Sequence, residues 1–130
     1  MQVFLYVNLI TPATYSQPLL QEIKISFPQV AVLDMDAQSG ELVQHYALQL
    51  LQEAELAIVC IKANESINDI SALMPLLEEL FQDKPGRLVL LLGQHARLQR
   101  MFAARQSIKY KAVGEEEAVA EVQSFFVSVK

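Results

Sequence analysis

At 130 residues, with 52% hydrophobic and 19% charged side chains, the chain has the size and apolar content of one folded domain and not of a disordered segment. A net charge of −5 argues against a general nucleic-acid binder. A lone cysteine, Cys60, excludes an intramolecular disulfide and suits a reducing compartment.

The first apolar run, near residues 2–8, has no Lys or Arg before it and is ended by Thr11-Pro12, so it reads as a buried strand rather than a signal peptide. Leu19, Leu20, Ile23 and Phe27 then recur at helical spacing, with Pro18 in the first turn and Pro28 as the stop. "VAVLDMD" is a short second strand at about 30–35. Ser39 is placed to cap a second helix, whose inner face is Val43, Tyr46, Ala47, Leu50 and Ala54. "LAIVCI" at 56–61 is apolar on both faces, as a strand covered on both sides must be.

"ESINDI" offers Ser66 with Asp69 three residues on, a capping-box pattern for a third helix. Pro75 lies within its stripe, so either the helix kinks there or a short turn ends and a new helix starts on the proline. "RLVLLLG" at 87–93 is the fourth strand, and a short helix with Leu98, Met101 and Phe102 inward follows. "SIKYKAV" alternates, with Ile108, Tyr110 and Ala112 on one face and Lys109 and Lys111 on the other. Gly114 and three glutamates open a last helix with Val119, Val122, Phe126 and Val129 inward, the acids opposing the positive end of its dipole.

Five strands and five helices in strict alternation over one domain, 1–130, predict a three-layer α/β sandwich with a parallel sheet and helices on both faces. The flavodoxin-like order 2-1-3-4-5 is favoured over a Rossmann-like variant. It centres the apolar first, third and fourth strands and leaves the lysine-bearing fifth at an edge. The longest apolar runs, "LAIVCI" and "LVLLL", fall far short of the roughly 20 residues of a membrane-spanning helix, so a soluble cytoplasmic protein is expected.

Ligands of such sheets bind beyond the carboxyl ends of the strands, at the switch point. That rim collects Asn8, Thr11 and Thr14, then Asp34 and Asp36, then Lys62, Asn64 and Glu65, then Gln94 and His95. Asn8, Thr11, Lys62, Asn64 and His95 are the candidate ligand-binding residues, Lys62 supplying charge and the others hydrogen bonds. "TPATYSQP" is a poor phosphate cradle, because it has no glycine and its two prolines remove donors. The hydroxyls of Thr11, Thr14 and Ser16 are expected to serve loop backbone and the helix start. No P-loop or GxGxxG pattern occurs, and no cofactor is implied. Asp34 and Asp36 at i, i+2 could share a hard cation, but such a pair is more often a solvated strand end, and no metal site is expected. His45 lies on a polar helix face. His95, in "GQHAR", can act as a base or anion binder, or simply serve the helix start. Cys60, mid-strand, reads as inert core.

The strand and helix pattern resembles that of receiver domains of two-component signalling. Phosphotransfer in that family implies acids after the first strand and an aspartate ending the third, where this chain has Asn8 and Lys62-Ala63-Asn64. "QEAELAIVCI" is similar to the helix-to-strand junction of nucleoside deoxyribosyltransferase-like and TIR-like domains, which implies a catalytic glutamate on the next helix, at Glu78 or Glu79. The Gly-rich approach of the transferases is absent.

Charge is unevenly spread. Residues 84–111 hold seven Lys or Arg and no acid, a segment of +7, whereas the rest sets three lysines against all 15 acids, −12. Arg97, Arg100 and Arg105 on the fourth helix, with Lys109 and Lys111 on the last strand, are the candidate interaction face. The leading expectation is a non-catalytic module that self-associates or binds an acidic protein partner through that face. The alternative is a binding protein for a nucleotide or other phosphorylated ligand at the rim of strands one and three.

Overall fold

In the computed structural model, which describes residues 1–10, 18–36, 40–67, 70–82, 84–105 and 108–128, the run that is apolar on both faces lies at the centre of a sheet. That strand is β3 (Leu56–Lys62), flanked by β1 (Gln2–Asn8) and β4 (Arg87–Leu92), with β2 (Ala31–Asp36) and β5 (Tyr110–Val113) at the edges. All four pairings are parallel, giving the order 2-1-3-4-5. The helices are α1 (Pro18–Ser26), α2 (Glu41–Glu53), α3 (Met74–Leu80), α4 (Ala96–Ala103) and α5 (Glu115–Ser128), with a 3₁₀ turn at Ser71–Leu73. The expected α/β three-layer sandwich is thus the observed one.

Strand alternation divides the core in two. Val3, Leu5, Val7, Val59, Ile61, Val89 and Leu91 meet Leu51, Leu77, Leu98 and Phe102 of α2, α3 and α4. Phe4, Tyr6, Ile58, Cys60, Leu88 and Leu90 meet Leu20 and Ile23 of α1 and Ala118, Val122 and Phe126 of α5. Each fully buried aliphatic side chain contributes roughly 1.5–3 kcal/mol relative to exposure, so the three doubly covered strands dominate the stability. Gly86 and Gly93 bracket β4 at φ +79° and +90°, and a Cβ at either would collide with a carbonyl at the ends of β3, of Glu55 and Ala63 respectively. Among the described residues, no helix is long and apolar enough to cross a membrane.

The third helix departs from the sequence expectation. Ser66 does not cap it. The Ser66 N–H donates to Asn64 Oδ1 at 3.0 Å and its hydroxyl contacts the same oxygen, which closes a local turn. Among the described residues helical structure in this segment begins at Ser71, and Pro75 sits in the first turn of α3, where its missing N–H costs nothing. The chain therefore takes the second of the two alternatives, a short turn followed by a new helix. Asp69, Ser39 and Ser16 lie outside the described residues. The N-cap of α2 is Gly40, which offers no side-chain bond. Lys109 precedes β5 rather than lying within it, although its carbonyl still accepts from Val89 N–H at 2.9 Å.

One ion pair ties three elements together. Arg87, at the start of β4, donates to Glu79 Oε2 at 2.7 Å, to the Glu79 carbonyl at 2.8 Å and to the Leu51 carbonyl at 3.3 Å. It thereby closes the C-terminal ends of α2 and α3 onto the sheet. Gln52 donates to Glu79 at 3.1 Å, and Lys84 lies 3.5 Å away. Burial alone would raise the Glu79 pKa, but the Arg87 and Gln52 hydrogen bonds and the nearby positive charges outweigh it and hold the carboxyl below its usual range. A lowered folded-state pKa stabilises the protein above the ordinary glutamate value of about 4.3 and ceases to do so as pH falls through the folded value. With the side chains of Arg87 and Glu79 only 9% and 10% exposed, Glu79→Gln should cost about 3 kcal/mol near neutral pH. In urea titrations the gap between wild type and variant should shrink as pH drops below about 4.

Candidate functional site

The strand ends bring Asn8 and Lys62 side by side in register, with Asp36 on the other side of Asn8. Thr11 lies outside the described residues. Asn8 is 2% exposed, and its Oδ1 accepts from Ile10 N–H at 3.0 Å, fixing the turn that leaves β1. Asn64 uses its Oδ1 on the Ser66 turn. Lys62 is half-buried at the end of β3.

His95 serves the fold from both ring nitrogens. As N-cap of α4, its Nδ1 accepts from Leu98 N–H at 3.3 Å, and its Nε2 lies 2.6 Å from the Ile67 carbonyl. These partners require the tautomer protonated at Nε2. The ring is 5% exposed. The start of α4 also holds an anion of its own, since Glu65 Oε1 accepts from Ala96 N–H at 2.7 Å. His95 and Glu65 therefore bind the loop after β3 to α4 and occupy two first-turn donors, Ala96 N–H and Leu98 N–H, that an incoming anion would use. The sequence reading named Glu65 only as a rim residue. Its partner is 31 positions away, and no local pattern announces it.

The expected basic face is divided by the sheet. Ile108 and Tyr110 pack toward α4, where the Tyr110 ring lies 5.6 Å from that of Phe102. Lys109 and Lys111 accordingly point to the α5 side. There Lys111 Nζ lies 2.8 Å from Glu121 Oε2, and both lysines line a groove with Leu88, Tyr110 and Phe125. The pairing of Lys111 with α5 is the internal charge balance that a basic strand beside an acidic helix suggests.

Arg97, Arg100 and Arg105 stand on the opposite layer and converge. With Phe81, Met101 and Ala104 they line a shallow groove of about 540 Å³. The Arg105 guanidinium lies over the Phe81 ring, 3.9 Å from its centroid. That stacking leaves the edge of the guanidinium fork open for acceptors. None of the described residues lining the groove is an acid, and none of these three arginines has an ion-pair partner among the described residues. Phe81 is the element that sequence inspection missed. It reads as the end of a helical stripe, and only the fold sets it against α4.

Neither glutamate singled out on the third helix stands as a free base. Glu79 is committed to Arg87, and Glu78 lies exposed on the surface. Among the described residues, no three His, Cys, Asp or Glu side chains gather as metal ligands would, and Cys60 is buried and in no disulfide.

His95→Ala removes a cap and leaves the Ile67 carbonyl unpaired, and should destabilise the domain by about 2–3 kcal/mol in urea unfolding. His95→Asn keeps a capping oxygen but not the reach to Ile67, and should fall between the two. Comparison with protein-family models, with curated proteins and with solved structures finds no match for this chain.

Proposed function

We propose that this chain is a non-catalytic interaction module, and that the groove over α4 receives an acidic segment of a partner protein. The observation that carries the reading is the convergence of Arg97, Arg100 and Arg105 on one apolar-floored groove without a described carboxylate in its lining. Nearby basic side chains have acids of their own, Arg87 and Lys84 on Glu79 and Lys111 on Glu121. The three arginines are set apart from that internal balance. Phe81 and Met101 supply apolar contact, and Phe81 holds Arg105 in place before any ligand arrives. A segment with two or more carboxylates around one apolar side chain matches this chemistry, because guanidinium forks take carboxylates in bidentate fashion. A small-ligand site at the strand rim is less well supported, since Asn8 and Asn64 spend their Oδ1 atoms and His95 both ring nitrogens on neighbouring backbone, and Glu65 occupies the start of α4. We take the module to work in the cytoplasm, which suits its single buried thiol.

Fluorescence anisotropy with a labelled Glu-Glu-Phe-Glu-Glu peptide tests the reading. Binding should weaken as salt rises, and Arg97→Glu with Arg100→Glu should lower affinity by about tenfold or more while leaving the melting temperature nearly unchanged. Equal binding of a Gln-Gln-Phe-Gln-Gln peptide, or no effect of the two substitutions, would sink it.

A further inference from the structure

The two edges of the sheet carry opposite charges on the same face. Val89 N–H donates to the Lys109 carbonyl and Val89 is the register partner of Tyr110, so Tyr110 and Ala112 turn their own N–H and C=O groups away from β4. At the other edge, Leu9 N–H donates to the Lys62 carbonyl, so the odd residues of β1 face β3 and the even ones face β2. Leu33 and Met35 then face β1, and the backbone of Val32 and Asp34 points outward. Alternation places Asp34 and Asp36 on the face of Val32, which packs in the α1/α5 layer. Lys111, paired with Glu121, lies on that same layer, and alternation along the strand direction sets Lys109 with it.

We infer that β5 of one copy pairs with β2 of the next, extending the parallel sheet head to tail. Placing Tyr110 beside Met35 of the second copy lets Tyr110 N–H donate to the Asp34 carbonyl, Asp36 N–H to the Tyr110 carbonyl and Ala112 N–H to the Asp36 carbonyl. It also sets Lys109 across from Asp34 and Lys111 across from Asp36. The alternatives are disfavoured by charge. Two β5 edges would set lysine beside lysine, and two β2 edges aspartate beside aspartate. Only the unlike pair matches, and such a heterologous contact leaves a free edge on each end of a pair, so it runs on into a filament or a ring. A strand of four residues offers few ladder bonds, so the contact is weak and depends on concentration. It uses none of the α4 arginines and is independent of the peptide site proposed for them.

Sedimentation velocity on the full chain, from roughly 10 to roughly 500 µM at low and high salt, provides the test. The weight-average sedimentation coefficient should rise with concentration and do so less at high salt. Lys109→Glu and Asp34→Lys should each weaken association by about fivefold or more, and combining them in one chain should restore it, which a merely structural defect would not do. Ala112→Pro removes an outward donor at one edge and Asp34→Pro at the other. Each should remain monomeric, and their mixture should form a 1:1 dimer and grow no further. A wild-type monomer throughout, failure of the charge swap to restore association, or a single proline variant that still associates would overturn the inference. Arg97→Glu with Arg100→Glu should leave this assembly intact, so the peptide site and the sheet contact can fail separately.

Discussion

Three strands that are apolar on both faces must each be covered twice, and the rest of the molecule follows from that demand. β1, β3 and β4 together present more apolar side chains than one helical layer can cover. The chain answers with α1 and α5 on one side and α2, α3 and α4 on the other. Once these strands hold the centre, the two strands that carry a charge inside their length rather than only at an end are left at the edges, β2 with Asp34 and β5 with Lys111. Edge position is where such residues cost least.

The same layering sorts the basic segment. Arg87 starts a central strand beneath the ends of two helices, where an unpaired charge would be costly, and there the Glu79 carboxylate and two helix-end carbonyls, of Glu79 and Leu51, accept from it. Lys111 points across the edge to α5 and meets Glu121. Arg97 and Arg100 sit on the outer side of an amphipathic helix whose Leu98 and Phe102 face the core, and Arg105, expected on that helix, lies just beyond its end at Ala103. They have solvent rather than a described acid beside them. Apart from the stack of Arg105 on Phe81, no described ion pair gives these arginines a structural role.

Strand order was legible because hydrophobic patterning speaks directly about position in a sheet, and "LAIVCI" and "SIKYKAV" differ in the way central and edge strands do. The start of the third helix was not. Ser66 has the residue type and spacing of a cap, but Asn64 captures it first, and a competition between local turns leaves no trace in periodicity. His95 was readable as a helix-start residue from "GQHAR", whereas its second bond, to Ile67, depends on a loop 28 positions away. The basic cluster was legible as charge and not as geometry. Grouping Arg97 with Lys111 ignored the alternation of "SIKYKAV", in which the lysines oppose Ile108 and Tyr110. Once those two residues pack toward α4, the lysines belong to the other layer. Topology sets Asn8, Lys62, Asn64 and His95 at or just beyond the carboxyl ends of their strands, while Thr11 lies outside the described residues. What sequence could not show is that Asn8, Asn64 and His95 are already engaged with backbone.

The central claim is that the chain meets its partner through α4 rather than through the strand rim. Backbone amide shifts followed by ¹H–¹⁵N NMR, during titration with the acidic peptide, read this residue by residue. The account predicts movement at Phe81 and from Arg97 to Arg105, with Asn8, Lys62 and Asn64 unmoved. Movement centred on Asn8, Lys62 and Asn64, with α4 silent, would contradict it.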